Sequence, residues 1–175
     1  MLELTQQFSY STVFNFIKNN QILFTVFITI LILKMKEISK VNIYLSGIVY
    51  FLGTFFFFFS HYIIALITTF RLPGRISLFP KYEIVNGRRV IALGYVEVKS
   101  SSLNILNAFP IGMAPLLLLY LAYIVSKYFF IYYGIWFEVG IIAYILQSFL
   151  MATLIINSVP SRADLILART KGSLY

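Results

Sequence analysis

The sequence predicts a mainly α, polytopic helical membrane protein with about four transmembrane helices and a small β-hairpin or sheet between helices 2 and 3. Three observations lead there. Of the 175 residues, 60% are hydrophobic and only 11% charged, against about 25% charged in an ordinary soluble domain. The mean hydropathy is +0.87. The apolar residues fall into four long runs, and the one long polar stretch between them carries a β pattern. The length suits a single integral membrane domain covering residues 1–175.

The opening MLELTQQFSYSTVF has no basic stretch ahead of its apolar residues and no small-residue cleavage site, so it does not read as a cleaved signal peptide. The first span is expected at 13–33, with Lys18 close enough to one end to extend its charge into the headgroups. The second, 41–70, is longer than the roughly 20 residues a bilayer requires, so it must tilt, bend or lie partly outside. The third, 103–125, contains FPIGMAPLLLL, where Pro110 and Pro115 each remove a backbone donor and should bend the helix. The fourth, 129–159, is again longer than necessary.

Between spans two and three lies RLPGRISLFPKYEIVNGRRVIALGYVEVKSSS, β-rich over 75–98. Strand candidates 82–85 and 89–98 flank Asn86-Gly87, the residue pair that best tolerates the positive φ angles of a type I′ turn. Four spans would place both termini and this segment on one side. Lys34, Lys36, Lys40 and Lys127 would occupy the other, against the remaining ten of the 14 basic residues, which predicts cytoplasmic termini and a place in the cell membrane.

The net charge of +8 is accounted for by these loops and by contact with anionic membrane lipids; no basic helix or binding motif points to nucleic acid. Without cysteine there are no disulfides, thiolate metal sites or cysteine nucleophiles. A Walker loop, a GxSxG elbow and a second histidine are also lacking, and no cofactor or small-molecule substrate is expected.

The only histidine, His61, stands in FFFFFSHYIIAL, and a polar ring among phenylalanines is costly unless something satisfies it. HYIIAL is followed by the β-rich segment, then by FPIGMAPLLLL, then by INSVPSRADL. This order, over about residues 50–168, resembles the site-2 protease-like family of intramembrane zinc metalloproteases. The resemblance implies a His-Glu-x-x-His helix, a small β region, a span beside the substrate cleft, and a last span ending in an Asn/Pro turn with an Asp as third zinc ligand. His61 takes the place of the first histidine and Asp164 that of the aspartate. The glutamate position holds Tyr62 and the second histidine position Ala65, so the motif reads His61-Tyr62-Ile63-Ile64-Ala65. Tyr62, with an unperturbed pKa near 10, is no general base at neutral pH, and Ala65 has no ligand atom.

The expectation is a catalytically degenerate member: no catalytic residues, no working metal site, and His61 and Asp164 as vestigial ligands. Its function would be that of a non-catalytic membrane subunit or scaffold binding other integral membrane subunits. Two alternatives stay open: an intramembrane zinc metalloprotease with an unusual or partner-completed site, and a small carrier or lipid-binding protein using Glu138 and His61. His61 can equally be a neutral imidazole bonded to a carbonyl, Ser60 or Thr54. Asp164 can pair with Arg162 or Arg169, or cap the segment that follows it, DLILAR, and Ser161 is another cap candidate. Glu138 reads as an intramembrane carboxylate or as an interfacial one beside Trp136, Tyr132 and Tyr133. Gln147 and Asn157 read as helix–helix hydrogen-bonding residues. Asn86, Gly87, Pro110, Pro115, Asn157, Pro160 and Glu138 are the structural or partner-contact candidates.

Overall fold

The computed structural model describes residues 2–39, 43–70, 76–77, 81–85, 88–92, 95–96 and 105–170. Its helices are α1 (Leu2–Asn19), α2 (Gln21–Ser39), α3 (Ile43–Thr69), α4 (Ile105–Gly112), α5 (Leu117–Trp136), α6 (Ile141–Asn157) and α7 (Arg162–Thr170). The fold is mainly helical, and two stretches, Tyr50–Thr69 and Ala114–Trp136, are long and apolar enough to cross a membrane.

The expected first span is divided between α1 and α2. Hydrogen bonds from Asn20 N–H to the Phe16 carbonyl and from Phe24 N–H to the Asn20 carbonyl carry the helical ladder past the junction. The Asn20 side chain also donates to the Phe16 carbonyl, at 3.0 Å, competing with the backbone where the helix is interrupted. α3 fills most of the expected second span and ends at Phe70, whose φ of 50° places a non-glycine residue in the left-handed region used to close helices.

The third and fourth spans differ from expectation. The expected bend at the prolines is a complete break: α4 contains Pro110 and ends at Gly112, and a 3₁₀ turn, Ala114–Leu116, carries Pro115 at its start before α5 begins. Conversely, the boundary expected at residues 126–128 lies inside α5. One lysine does not interrupt a backbone ladder; Lys127 turns outward with its ammonium 5.3 Å from the Tyr128 ring centre. The chain turns instead at residues 137–140, where Phe137 and Gly140 are extended. Glu138 sits exposed in that turn, and Trp136 is 80% exposed beside it.

α5 and α6 are packed around Leu118, Ala122 and Leu154, with Phe56, Leu121, Val125 and Leu150 against them. Ala65, Ala143 and Ala152 are fully buried, since small side chains let helix backbones approach closely. α2 runs parallel to α6: Gln21 bonds Gln147 near one end of the contact, and Lys36 bonds Asn157 near the other. This corrects the expected orientation, in which Lys36 and Asn157 belong to opposite membrane faces. The basic-residue count assumed that every apolar run crosses the bilayer in alternation, and a parallel α2–α6 pair breaks that assumption.

Between α3 and α4, β1 (Ile76–Ser77) pairs antiparallel with β4 (Tyr95–Val96), and β2 (Lys81–Val85) with β3 (Arg88–Ala92) in the register Lys81↔Ala92 to Val85↔Arg88. The expected turn residues Asn86 and Gly87 lie outside the described residues.

Candidate functional site

His61 and Asp164, about a hundred positions apart in sequence, meet where α3 passes α7. α3 reaches this place by packing against α4 and the 3₁₀ turn. α7 is held to α4 by direct backbone approach: a β-carbon on Gly112 would stand 2.5 Å from the Asp164 carbonyl oxygen and 3.0 Å from the Ala168 β-carbon. Only a residue without a side chain fits there.

The start of α7 is a capping box. Ser161 N–H donates to Asp164 Oδ2 at 2.7 Å, and Asp164 N–H donates to Ser161 Oγ at 3.3 Å. Ser161, the other cap candidate, is thus the capping residue, and Asp164 lies inside α7 as its partner in the box rather than ahead of the helix. Its other oxygen, Oδ1, lies 3.3 Å from His61 Nε2. That contact is close but badly aligned, and the buried Nε2 has no hydrogen-bond partner among the described residues. The Ser60 hydroxyl donates to the Phe57 carbonyl at 2.7 Å instead of to the imidazole. The imidazole packs edge-on to the Phe57 ring, 4.8 Å between centroids. Burial pushes the Asp164 carboxyl up, but the His61 imidazole and the Ser161 hydrogen bonds push it down further, leaving it below the ordinary carboxylate value.

These residues do not fit a catalytic zinc. Such a site takes three protein ligands, and His61 and Asp164 supply two; Ala65, one turn beyond His61, contributes a methyl group. No group of three His, Cys, Asp or Glu side chains among the described residues could hold a metal ion. Glu138 is not brought to this pair: it lies in the α5–α6 turn, whereas Asp164 follows the opposite end of α6. Pro110 and Pro115 frame the break between α4 and α5, and Pro160 precedes the capping serine.

Two polar clusters hold the helices together. Gln147 is 1% exposed. Its amide accepts from Gln21 on α2 and donates to the Val125 and Ser126 carbonyls of α5, at 3.5 and 3.3 Å. Gln147→Leu removes these bonds and leaves the Gln21 amide unpaired. Interhelical bonds of this type are worth about 0.6–2 kcal/mol, so a loss of that order is expected in thermal unfolding.

The second cluster joins Lys36, Tyr50, Gly53 and Asn157. Lys36 Nζ donates to Asn157 Oδ1 at 3.2 Å and lies 4.8 Å from the centre of the Tyr50 ring. Asn157 Nδ2 donates to the Thr153 carbonyl at 2.7 Å. A β-carbon on Gly53 would stand 2.4 Å from Asn157 Nδ2, so glycine makes room for that amide. Of these four, the sequence singled out only Asn157. Gly53, two residues ahead of the phenylalanine run, was the available signal for close helix approach.

Compared with known protein families, curated proteins and solved structures, the chain matches none.

Proposed function

We propose that this is an integral membrane protein with a site-2 protease-like arrangement, without proteolytic chemistry of its own, that binds another integral membrane protein within a larger complex. The observation that carries the reading is the His61–Asp164 contact. The two positions that match zinc ligands in the resembled family are adjacent, while those of the base and the second histidine hold Tyr62 and Ala65. The pair has been turned to structural use, since Asp164 completes the capping box of α7. The membrane setting is supported by burial: only 28% and 22% of the two long apolar windows are buried, less than in the mostly buried core helices of soluble proteins. On α2, Ile22, Leu23 and Ile38 are 81%, 66% and 66% exposed, a surface that calls for lipid or a partner helix. The cell membrane is the expected site.

One observation favours a partner-completed metal site as the second reading. Two donors on a tetrahedral metal with bonds of about 2.0–2.1 Å lie roughly as far apart as His61 Nε2 and Asp164 Oδ1, 3.3 Å, and Nε2 is unpartnered among the described residues. The carrier reading has less support, because Glu138 is exposed in the turn at the end of α6 opposite Asp164 and is not brought to His61.

Purification from native membranes in mild detergent, with mass spectrometry of co-migrating chains and metal analysis of the same sample, separates these readings. A stoichiometric membrane partner without metal is the expected result. One zinc per chain, lost in His61→Ala, sinks the non-catalytic reading, and a lone chain without partner or metal sinks the subunit reading.

A further inference from the structure

We propose that the groove where α2, α3 and α6 meet binds an anionic phospholipid, its phosphate against the Lys36 ammonium and an acyl chain along the groove. The inference rests on the membrane reading above. The cavity measures about 170 Å³ and is lined on its apolar side by Ile32, Met35, Ile48, Leu52 and Phe149, with Lys36 and Asn157 at its polar end. Ile48 is 78% exposed and Met35 45%, so the groove opens to the surroundings of the bundle.

Charge selects the occupant. Lys36 is half-buried, and among the described residues no carboxylate pairs with it; Glu37 is taken by Lys34 at 3.5 Å. Asn157, a neutral acceptor, takes one of the three ammonium hydrogens. The Tyr50 ring steadies the cation from another direction, while the Tyr50 hydroxyl donates to the Lys36 carbonyl at 3.2 Å. A fixed cation with donors to spare, at the end of an apolar groove on a lipid-facing helix, matches a phosphodiester carrying a hydrocarbon chain.

The test uses the full chain. Carbonate extraction of membranes comes first: release of the chain would overturn the membrane reading and this inference with it. Native mass spectrometry in mild detergent then compares phosphatidylglycerol, phosphatidylcholine and inorganic phosphate. One phosphatidylglycerol should be retained, about fivefold over phosphatidylcholine, the effect of one basic residue at an anionic surface. Lys36→Gln should abolish that preference, and Lys36→Arg and Lys34→Gln should keep it. Leu52→Trp, which fills the groove, should weaken both lipids. A preference that survives in Lys36→Gln, in a carbonate-resistant protein, overturns the site while leaving the membrane reading intact. Inorganic phosphate that displaces phosphatidylglycerol and binds Leu52→Trp unchanged would make this a free-anion site and overturn the lipid.

Discussion

Gly112→Ala is expected to loosen α7 from α4 and to destabilise the protein by about 1–3 kcal/mol, the usual cost of overpacking a tight contact. The added β-carbon meets the Asp164 carbonyl oxygen at 2.5 Å and backbone and β-carbon atoms of Ala168 at 3.2 and 3.0 Å. A β-carbon has no rotamer by which to avoid these atoms, so one backbone must move. Gly134→Ala is the control, since its β-carbon would meet only Val139 Cγ2, at 3.5 Å. There the better helix propensity of alanine, about 1 kcal/mol over glycine, should leave stability equal or higher. Thermal unfolding in detergent reads the first effect, and tryptic cleavage at the exposed Arg162 reads the loosening of α7. Unfolding and cleavage indistinguishable between the two variants would mean that α4 and α7 do not touch at Gly112.

Gly112 also shows where the sequence stops being readable. The apolar runs expose the helices, because continuous apolar stretches of that length are too long for strands. The expected second span, 41–70, accordingly lies over α3, Ile43–Thr69. Breaks are harder to place. Lys127 looked like a boundary because it is charged, whereas backbone geometry breaks the chain at residues 137–140. Asn20 gives little composition signal, yet it divides α1 from α2.

Contacts between distant segments are harder still. His61 and Asp164 were singled out one by one, but motif order carries no distance, and neither the 3.3 Å approach nor the unpartnered Nε2 follows from it. Lys36 seemed to face away from Asn157 because apolar runs were taken to alternate in direction. Their bond at 3.2 Å depends on α2 lying parallel to α6, a choice made by packing at Gln21, Gln147 and Gly53 rather than by hydropathy.

Asp164→Ala should be the most damaging change at the candidate site. It removes the acceptor for Ser161 N–H at the start of α7, a cap worth about 0.5–2 kcal/mol. It also removes the carboxylate oxygen 3.3 Å from the buried His61 Nε2, a close approach rather than a hydrogen bond, so no newly unsatisfied group is added there. The expected loss is therefore that of the cap, about 0.5–2 kcal/mol. Asp164→Asn retains the shape and one carbonyl acceptor, so it should cost less, and it isolates the charge. Because His61 and Ser161 hold the folded carboxyl below its ordinary value, the charge favours folding at every pH above the unfolded aspartate pKa of about 3.9. That contribution is lost as pH falls through the lower folded value, where the carboxyl takes up a proton. The stability gap between the native protein and Asp164→Asn should therefore close as pH falls below about 3.9 and through the lower folded value. A gap that persists at the acid end would mean that Asp164 acts through its shape and hydrogen bonds alone, and that its charge contributes nothing to the junction of α3 with α7.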